Sequence, residues 1–551
     1  MAEKPAKRGR FLSPPSLVGT AVGLLPIGMT VTPSLLPRTW VMQGVITGIC
    51  VAIAYGLGVL VAWAVRKLTK WEPSVRVRRM AWLLVLVAAA AVLAAAVLVG
   101  TSWQNDVRSL VHEASVSPVL FVRAIPVGII VVLVLLLVGR SLRAAARGLA
   151  HLLRRRLPRW AALSIGGVIV AVAVAVALFG AFKAFERITN DIYANVNTTT
   201  APGVVQPTSS ARSGSSASLV SWDSLGLQGR NFVGRGPSLQ HLQEFSGQRP
   251  KEPIRVYVGL ESAPTAQARA DLALKELERT GAFTRQILIV MGCTGTGWIE
   301  PQSADPPEYM YNGDSAEVTI QYSDLPSWIS FITDKAKATS AGKALFNAVY
   351  AEWAKLPATE RPKLIAYGLS LGAFAGQSPF SGAADLRSRT DGGYFAGTPS
   401  DSQPWRSIED GRDAGSPEWL PIYERGATVR FAAAPKDFAR PAAPWDQPRV
   451  LYLQHGSDPV VWWSPSLLPS APDWLKEPRA PDVSPDMTWL PLVTFLQVTV
   501  DQFYGTTVPN GFGHNYGNMS VEAWSAVAPP PGWTAQRAQD LQTAIDAYKI
   551  E

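Results

Sequence analysis

The sequence predicts a two-part molecule: an α-helical transmembrane domain of about five spans, then an α/β domain built on a mostly parallel sheet. Three observations predict it. Long apolar stretches with almost no charge fill the first third of the chain. Basic residues crowd into alternate loops between those stretches. Past residue 218, short apolar runs alternate with helical patterns, as strands joined by crossover helices do.

The chain has 551 residues, too many for one compact core. Only 17 % are charged and 48 % are hydrophobic. That excludes a disordered polyelectrolyte and favours membrane spans. The net charge of +9 is unevenly placed. Residues 1–182 hold 20 of the 51 Lys and Arg but 4 of the 42 Asp and Glu, leaving 31 basic against 38 acidic residues beyond. The C-terminal part would repel a polyanion, so nucleic acid is not an expected partner.

The apolar stretches run Leu17–Leu36, Val41–Val65, Ala81–Gly100, Pro118–Gly139 and Ala161–Phe182. Each reaches the length of about 20 residues that a hydrocarbon core about 30 Å thick requires. The first is the weakest, because Pro26 and Pro33 interrupt it. Lys4, Lys7, Arg8 and Arg10 precede it; Arg66 to Arg79 follow the second stretch and Arg140 to Arg159 the fourth. The other two loops hold only Arg38 and Arg108. Positive charge faces the cytoplasm. Five spans with a cytoplasmic N-terminus therefore put the C-terminal domain outside the plasma membrane. Arg123, within the fourth stretch, is expected to snorkel to the interface.

Residues 1–182 thus read as the transmembrane domain. Residues 183–218 read as a junction and a flexible Thr-, Ser-, Pro- and Gly-rich linker, and 219–551 as the catalytic domain. Strands are expected at Ile254–Leu260, Gln286–Met291, Glu317–Tyr322, Lys363–Tyr367, Tyr394–Ala396, Thr428–Phe431 and Val450–Leu453. Helices are expected at Thr265–Thr280 and Ser330–Leu356. Between Thr294 and Ser315 no clear helix is legible.

The segment Gly368-Leu369-Ser370-Leu371-Gly372 follows a strand pattern and precedes a run of small residues. This is the setting of a nucleophile elbow, a sharp strand-to-helix turn that lifts a serine hydroxyl clear of its strand. A serine nucleophile needs a base, and the base needs a carboxylate to orient it. Of five histidines, only His455 and His514 follow Ser370. Asp458 lies in the turn after a late strand and suits the acid. His514 lies in the Gly-rich run 511–516 and suits the base, leaving His455 as a loop residue near the site. The oxyanion of acyl transfer needs two backbone N–H donors. Leu371, after the serine, supplies one; Thr294 and Gly295, after an earlier strand, are the expected source of the other.

Cys50 and Cys293 form neither a disulfide framework nor a zinc site, and Cys293 lacks a base in plausible order. No metal-ligand spacing and no phosphate-binding loop appears, so no cofactor is expected. The Trp- and Pro-rich stretch 462–490, between acid and base, reads either as a lid or membrane-facing rim or as ordinary packing.

With these residues in view the chain resembles the mainly actinobacterial α/β-hydrolase family that joins a multi-span N-terminal domain to a catalytic C-terminal domain. The resemblance rests on TPSLLPR (32–38), LVSWDSLGLQGRNFV (219–233), TGTGW (294–298), YGLSLGAF (367–374), AGSPEWLP (414–421), YLQHGSDPVVWW (452–463) and GFGHNY (511–516). It implies an α/β-hydrolase fold and supports Ser370, Asp458 and His514 as the catalytic set. The expected function is that of a serine esterase, lipase or acyltransferase acting on ester or thioester bonds, with a lipid or acyl ester as substrate and membrane lipids as surroundings. The alternative is a non-catalytic lipid-handling or scaffold protein of the cell envelope that keeps the fold.

Overall fold

A computed structural model of the protein describes residues 14–69 and 74–547, so Lys4, Lys7, Arg8, Arg10 and Lys70 lie outside the described residues. The chain divides into two compact units. The first comprises the chain through Arg187 with Leu467–Ala471 and Ser484–Asp501; the second holds the rest.

The first unit is helical: α1 (Leu17–Thr30), α2 (Trp40–Thr69), α3 (Val75–Leu110), α4 (Val119–Leu153) and, through Arg187, α5 (Arg159–Asn197). The last four have 30 to 39 residues and are long and apolar enough to cross a membrane. α1 has only 14 residues, about 21 Å at 1.5 Å per residue. The described residues therefore hold four helices of spanning length, where the sequence reads five. The reason is local: Pro33 disfavours helical geometry at Thr32 before it, and α1 stops at Thr30.

Small residues set the packing of these helices. A Cβ on Gly19 would press on Tyr55 and Val59 of α2, and one on Gly48 would meet Val131 and the Gly128 carbonyl of α4. The stretch between α1 and α2 carries the TPSLLPR motif and is buried, with Leu35 and Leu36 wholly so. Its partner comes from far along the chain. Asp501, ending the helix Val493–Asp501, accepts from the Ser34 hydroxyl and from the N–H groups of Leu35 (3.1 Å) and Leu36 (3.4 Å). Arg38 donates to the Thr32 carbonyl at 2.8 Å, as does Gln497 at 3.0 Å. Burial pushes the Asp501 carboxyl up to about 6, against the attraction of Arg38.

The second unit is built on β1 (Ile254–Val258), β2 (Ile287–Gly292), β3 (Ser315–Ile320), β4 (Lys363–Leu369), β5 (Gly392–Ala396), β6 (Val429–Ala432) and β7 (Arg449–Leu453). All pairs are parallel, in the order β1-β3-β2-β4-β5-β7-β6. Helices such as Ala266–Thr280 and Lys335–Trp353 cover the sheet, and the strands are buried almost throughout. A sheet buried on both faces reads as continuous apolar runs, which is why all seven strands are legible in the sequence. After β2 the chain adds β3 on one side, then crosses to β4 on the other. The carboxyl ends of β2 and β4 therefore flank a topological switch point, where open α/β sheets bind their ligands.

Three segments differ from the sequence reading. A helix spans Pro301–Met310. Pro306 and Pro307 inside it and the burial of every residue from Ser303 onward erase its amphipathic period. The helix expected at Ser330–Leu356 is two helices, Ser327–Thr333 and Lys335–Trp353, meeting at the buried Asp334. The stretch read as a flexible linker is tied to the sheet edge: Ser213 donates to the Arg255 carbonyl at 3.0 Å and Arg255 donates to that of Ala211 at 3.2 Å. In the Trp-rich stretch Trp462 and Trp474 are buried and pack at 5.9 Å, so both serve the core.

Candidate active site

Ser370 sits between β4 and the helix Leu371–Gln377 with φ 59° and ψ −128°, backbone angles that L-residues rarely adopt. Backbone packing imposes this geometry. A Cβ on Gly292, at the end of β2, or on Gly368 would run into the Gly372 carbonyl, and one on Gly372 would run into the Gly292 carbonyl. The two glycines of the pentapeptide and the glycine ending β2 thus let the turn close on its neighbouring strand. Leu371, the first residue of the following helix, has an N–H that helical geometry leaves without an intrahelical partner.

Asp458 follows β7 and is fully buried. Its Oδ1 accepts from Val460 N–H at 2.8 Å, capping the turn Pro459–Trp462. Its Oδ2 accepts from the Tyr516 hydroxyl at 2.6 Å and lies 2.7 Å from His514 Nδ1. A buried carboxylate at Nδ1 fixes the tautomer with its proton there, leaving Nε2 as the basic nitrogen. His514 Nε2 has no hydrogen-bond partner among the described residues. The imidazole is held from behind by Gly397 at φ 55°, where any Cβ would strike the ring. His514 N–H also donates to the Gly505 carbonyl at 2.7 Å.

Ser370 and His514 line one cavity of about 500 Å³, together with Thr294, Glu300 and Leu371. No hydrogen bond joins Ser370 Oγ to His514 Nε2; the two side chains share the cavity. Trp328 and Phe503, also in its wall, are 44 % and 52 % exposed and meet edge to face at 5.9 Å.

The other sequence-derived residues divide. Thr294 reaches the cavity, but its N–H is spent on the Trp298 carbonyl at 3.0 Å, closing the turn 294–298. Gly295 packs instead toward the Leu325 carbonyl and Ser330. Cys293 is buried, donates to the Ile320 carbonyl, and burial pushes its thiol up to about 12, so it carries no nucleophile.

Two residues gain weight from the structure. Glu300 caps the helix Pro301–Met310 and faces the cavity, where burial pushes its carboxyl up to about 7. It therefore titrates near neutral pH at the cavity wall, well above the usual carboxylate range. The only sequence signal is an acid directly before a helix-starting proline. His455 is buried, stacks on Tyr516 at 4.3 Å, and its Nδ1 lies 2.8 Å from the Gly513 carbonyl. Burial lowers its pKa, so it is neutral and donates that bond, steadying the loop that carries His514. His455→Ala is expected to lower turnover about tenfold, the loss of one buried hydrogen bond and its packing. His455→Asn, which restores an N–H donor, should recover part of it; an inactive His455→Ala beside an active His514→Ala would reverse the two roles.

Residues 254–541 match the alpha/beta-hydrolase family, and residues 31–237 match the N-terminal region described for that family. The chain belongs to the alpha/beta-hydrolase family. Searches of curated proteins and of solved structures find no match.

Proposed function

We propose that the protein is a membrane-anchored serine hydrolase or acyltransferase acting on ester or thioester bonds of envelope lipids. The observation that carries the reading is the Asp458–His514 pair, whose free Nε2 shares a cavity with a serine held at positive φ. Ser370 Oγ attacks the acyl carbonyl while His514 Nε2 takes its proton, and Asp458 stabilises the imidazolium. The Leu371 N–H stabilises the oxyanion. His514 then protonates the leaving alkoxide or thiolate, giving an acyl-Ser370. Water, or an acceptor hydroxyl, activated by His514 releases the acyl group and returns the proton to Ser370.

The exposed Trp328 and Phe503 at the cavity wall support an apolar acyl chain. Each methylene buried contributes about 0.8 kcal/mol, or about fourfold in kcat/KM. With purified protein and p-nitrophenyl esters, kcat/KM is expected to climb by that step from butyrate until the cavity is filled. A flat profile across chain lengths would refute an acyl-binding role. Absence of turnover on every ester would favour the non-catalytic alternative.

We further propose that the catalytic unit lies outside the plasma membrane. The charge pattern of α2 to α5 alone supports this: Arg66 and Lys67 end α2, Arg76 to Arg79 begin α3, Arg154 to Arg156 lie between α4 and α5, and Arg159 begins α5. With those ends cytoplasmic, α5 leads outward whether or not α1 crosses. A phosphatase reporter fused after Glu551 should be active, and a cytoplasmic reporter in the same place silent. The opposite pattern would refute the topology.

A further inference from the structure

The loop that carries His514 is held by the turn that carries Asp458. His514 follows Gly513, a residue with φ 53°. Both polar groups of Gly513 are engaged from the turn after β7. Its carbonyl lies 2.8 Å from His455 Nδ1, and its N–H donates to the Ser457 hydroxyl at 2.9 Å. Asp458 then meets His514 Nδ1 at 2.7 Å. Residues 455, 457 and 458 thus hold 513 and 514 in register. Glycine has a wide choice of φ and ψ. These contacts, and not its own sterics, therefore set where the next residue points.

Ser457 is wholly buried, and behind it stands a carboxylate from the Trp- and Pro-rich stretch 462–490. Asp482 Oδ2 accepts from the Ser457 N–H at 2.8 Å and from its hydroxyl at 2.7 Å. The close approach needs Gly456, where a Cβ would strike Ala480 and Asp482 Oδ1. The direction of each bond matters. A serine hydroxyl donates or accepts, and its proton rotates to suit its surroundings. The Gly513 N–H needs a lone pair, so the Ser457 proton must point elsewhere. A carboxylate only accepts. Asp482 therefore draws that proton to itself and leaves the lone pairs of Oγ facing Gly513. Each bond polarises the next. Without the carboxylate the hydroxyl is free to turn, and a backbone N–H beside the base loses its partner.

We propose that Asp482 and Ser457 are positioning residues for the base: they fix the Gly513 peptide so that His514 meets both Asp458 and Ser370. This role rests on the reading of His514 as the base, and it brings a residue of the stretch 462–490 into service of the site.

The test uses the full-length protein, a p-nitrophenyl ester and a fluorophosphonate. Asp482→Ala should lower kcat about tenfold, the loss of one buried hydrogen bond, while KM stays unchanged. Labelling of Ser370 should slow by the same factor. Asp482→Asn, whose amide oxygen accepts from Ser457, should recover most of that loss. Ser457→Ala should fall about as far as Asp482→Ala. The pair should lose much less than the product of the two, because both act through one hydroxyl. Labelling that does not depend on His514 would defeat the base assignment itself. Labelling that depends on His514 but is indifferent to Asp482→Ala would overturn the positioning role alone. So would a raised KM at constant kcat, or equal losses in the alanine and asparagine variants. Hydrogen exchange in the unaltered protein needs no variant to fold. The Gly513 amide should exchange roughly a hundredfold or more slower than an unprotected peptide, and exchange at the unprotected rate would overturn the proposal.

Discussion

Ser370→Ala is expected to lower ester turnover by roughly 10⁴-fold or more, with the fold intact. Removing a nucleophile that acts with its base as a unit removes the whole covalent route, not one contact in it. The small side chain meets no packing requirement that the hydroxyl alone fulfils, since the turn is set by Gly292, Gly368 and Gly372. Alanine also tolerates positive φ no worse than serine does. The melting temperature should therefore stay within a few degrees while activity disappears. Unchanged turnover in this variant would remove Ser370 from the mechanism.

The second large effect is at Asp458. Its carboxylate is fully buried, bonded to Val460, Tyr516 and His514, and has no access to substrate except through the imidazole. Asp458→Asn should depress kcat by about 10⁴-fold through loss of the correct tautomer, with little change in KM. His514→Ala should fall as far, and the double variant should be scarcely worse than the worse single one. Independent, multiplicative losses would show that the two groups serve separate functions.

The sheet was legible in the sequence because its strands are buried on both faces, and their limits shift by two residues at most. The pairing of Asp458 with His514 was legible because each occupies a loop with its own local signature: a strand-end turn for Asp458, a Gly-rich run for His514. What escaped is non-local. Nothing near Asp501 marks it as the partner of residues 34–36, over 460 positions earlier. Nothing in the stretch 484–501 shows that it folds with the helical unit and not with the domain around it. The helix Pro301–Met310 was hidden because buried helices lack a polar face, and here prolines add a contrary signal. The spent amide of Thr294 follows from a turn hydrogen bond that residue types alone do not specify.

The central claim is that Ser370 is an activated nucleophile. A fluorophosphonate forms a stable phosphonyl ester only with such a serine, expelling fluoride as the hydroxyl proton passes to the base. Peptide mass spectrometry of the treated full-length protein should find the adduct on Ser370, slowed at least a thousandfold in His514→Ala. An unmodified Ser370 at saturating probe, or labelling that does not depend on His514, would contradict the account.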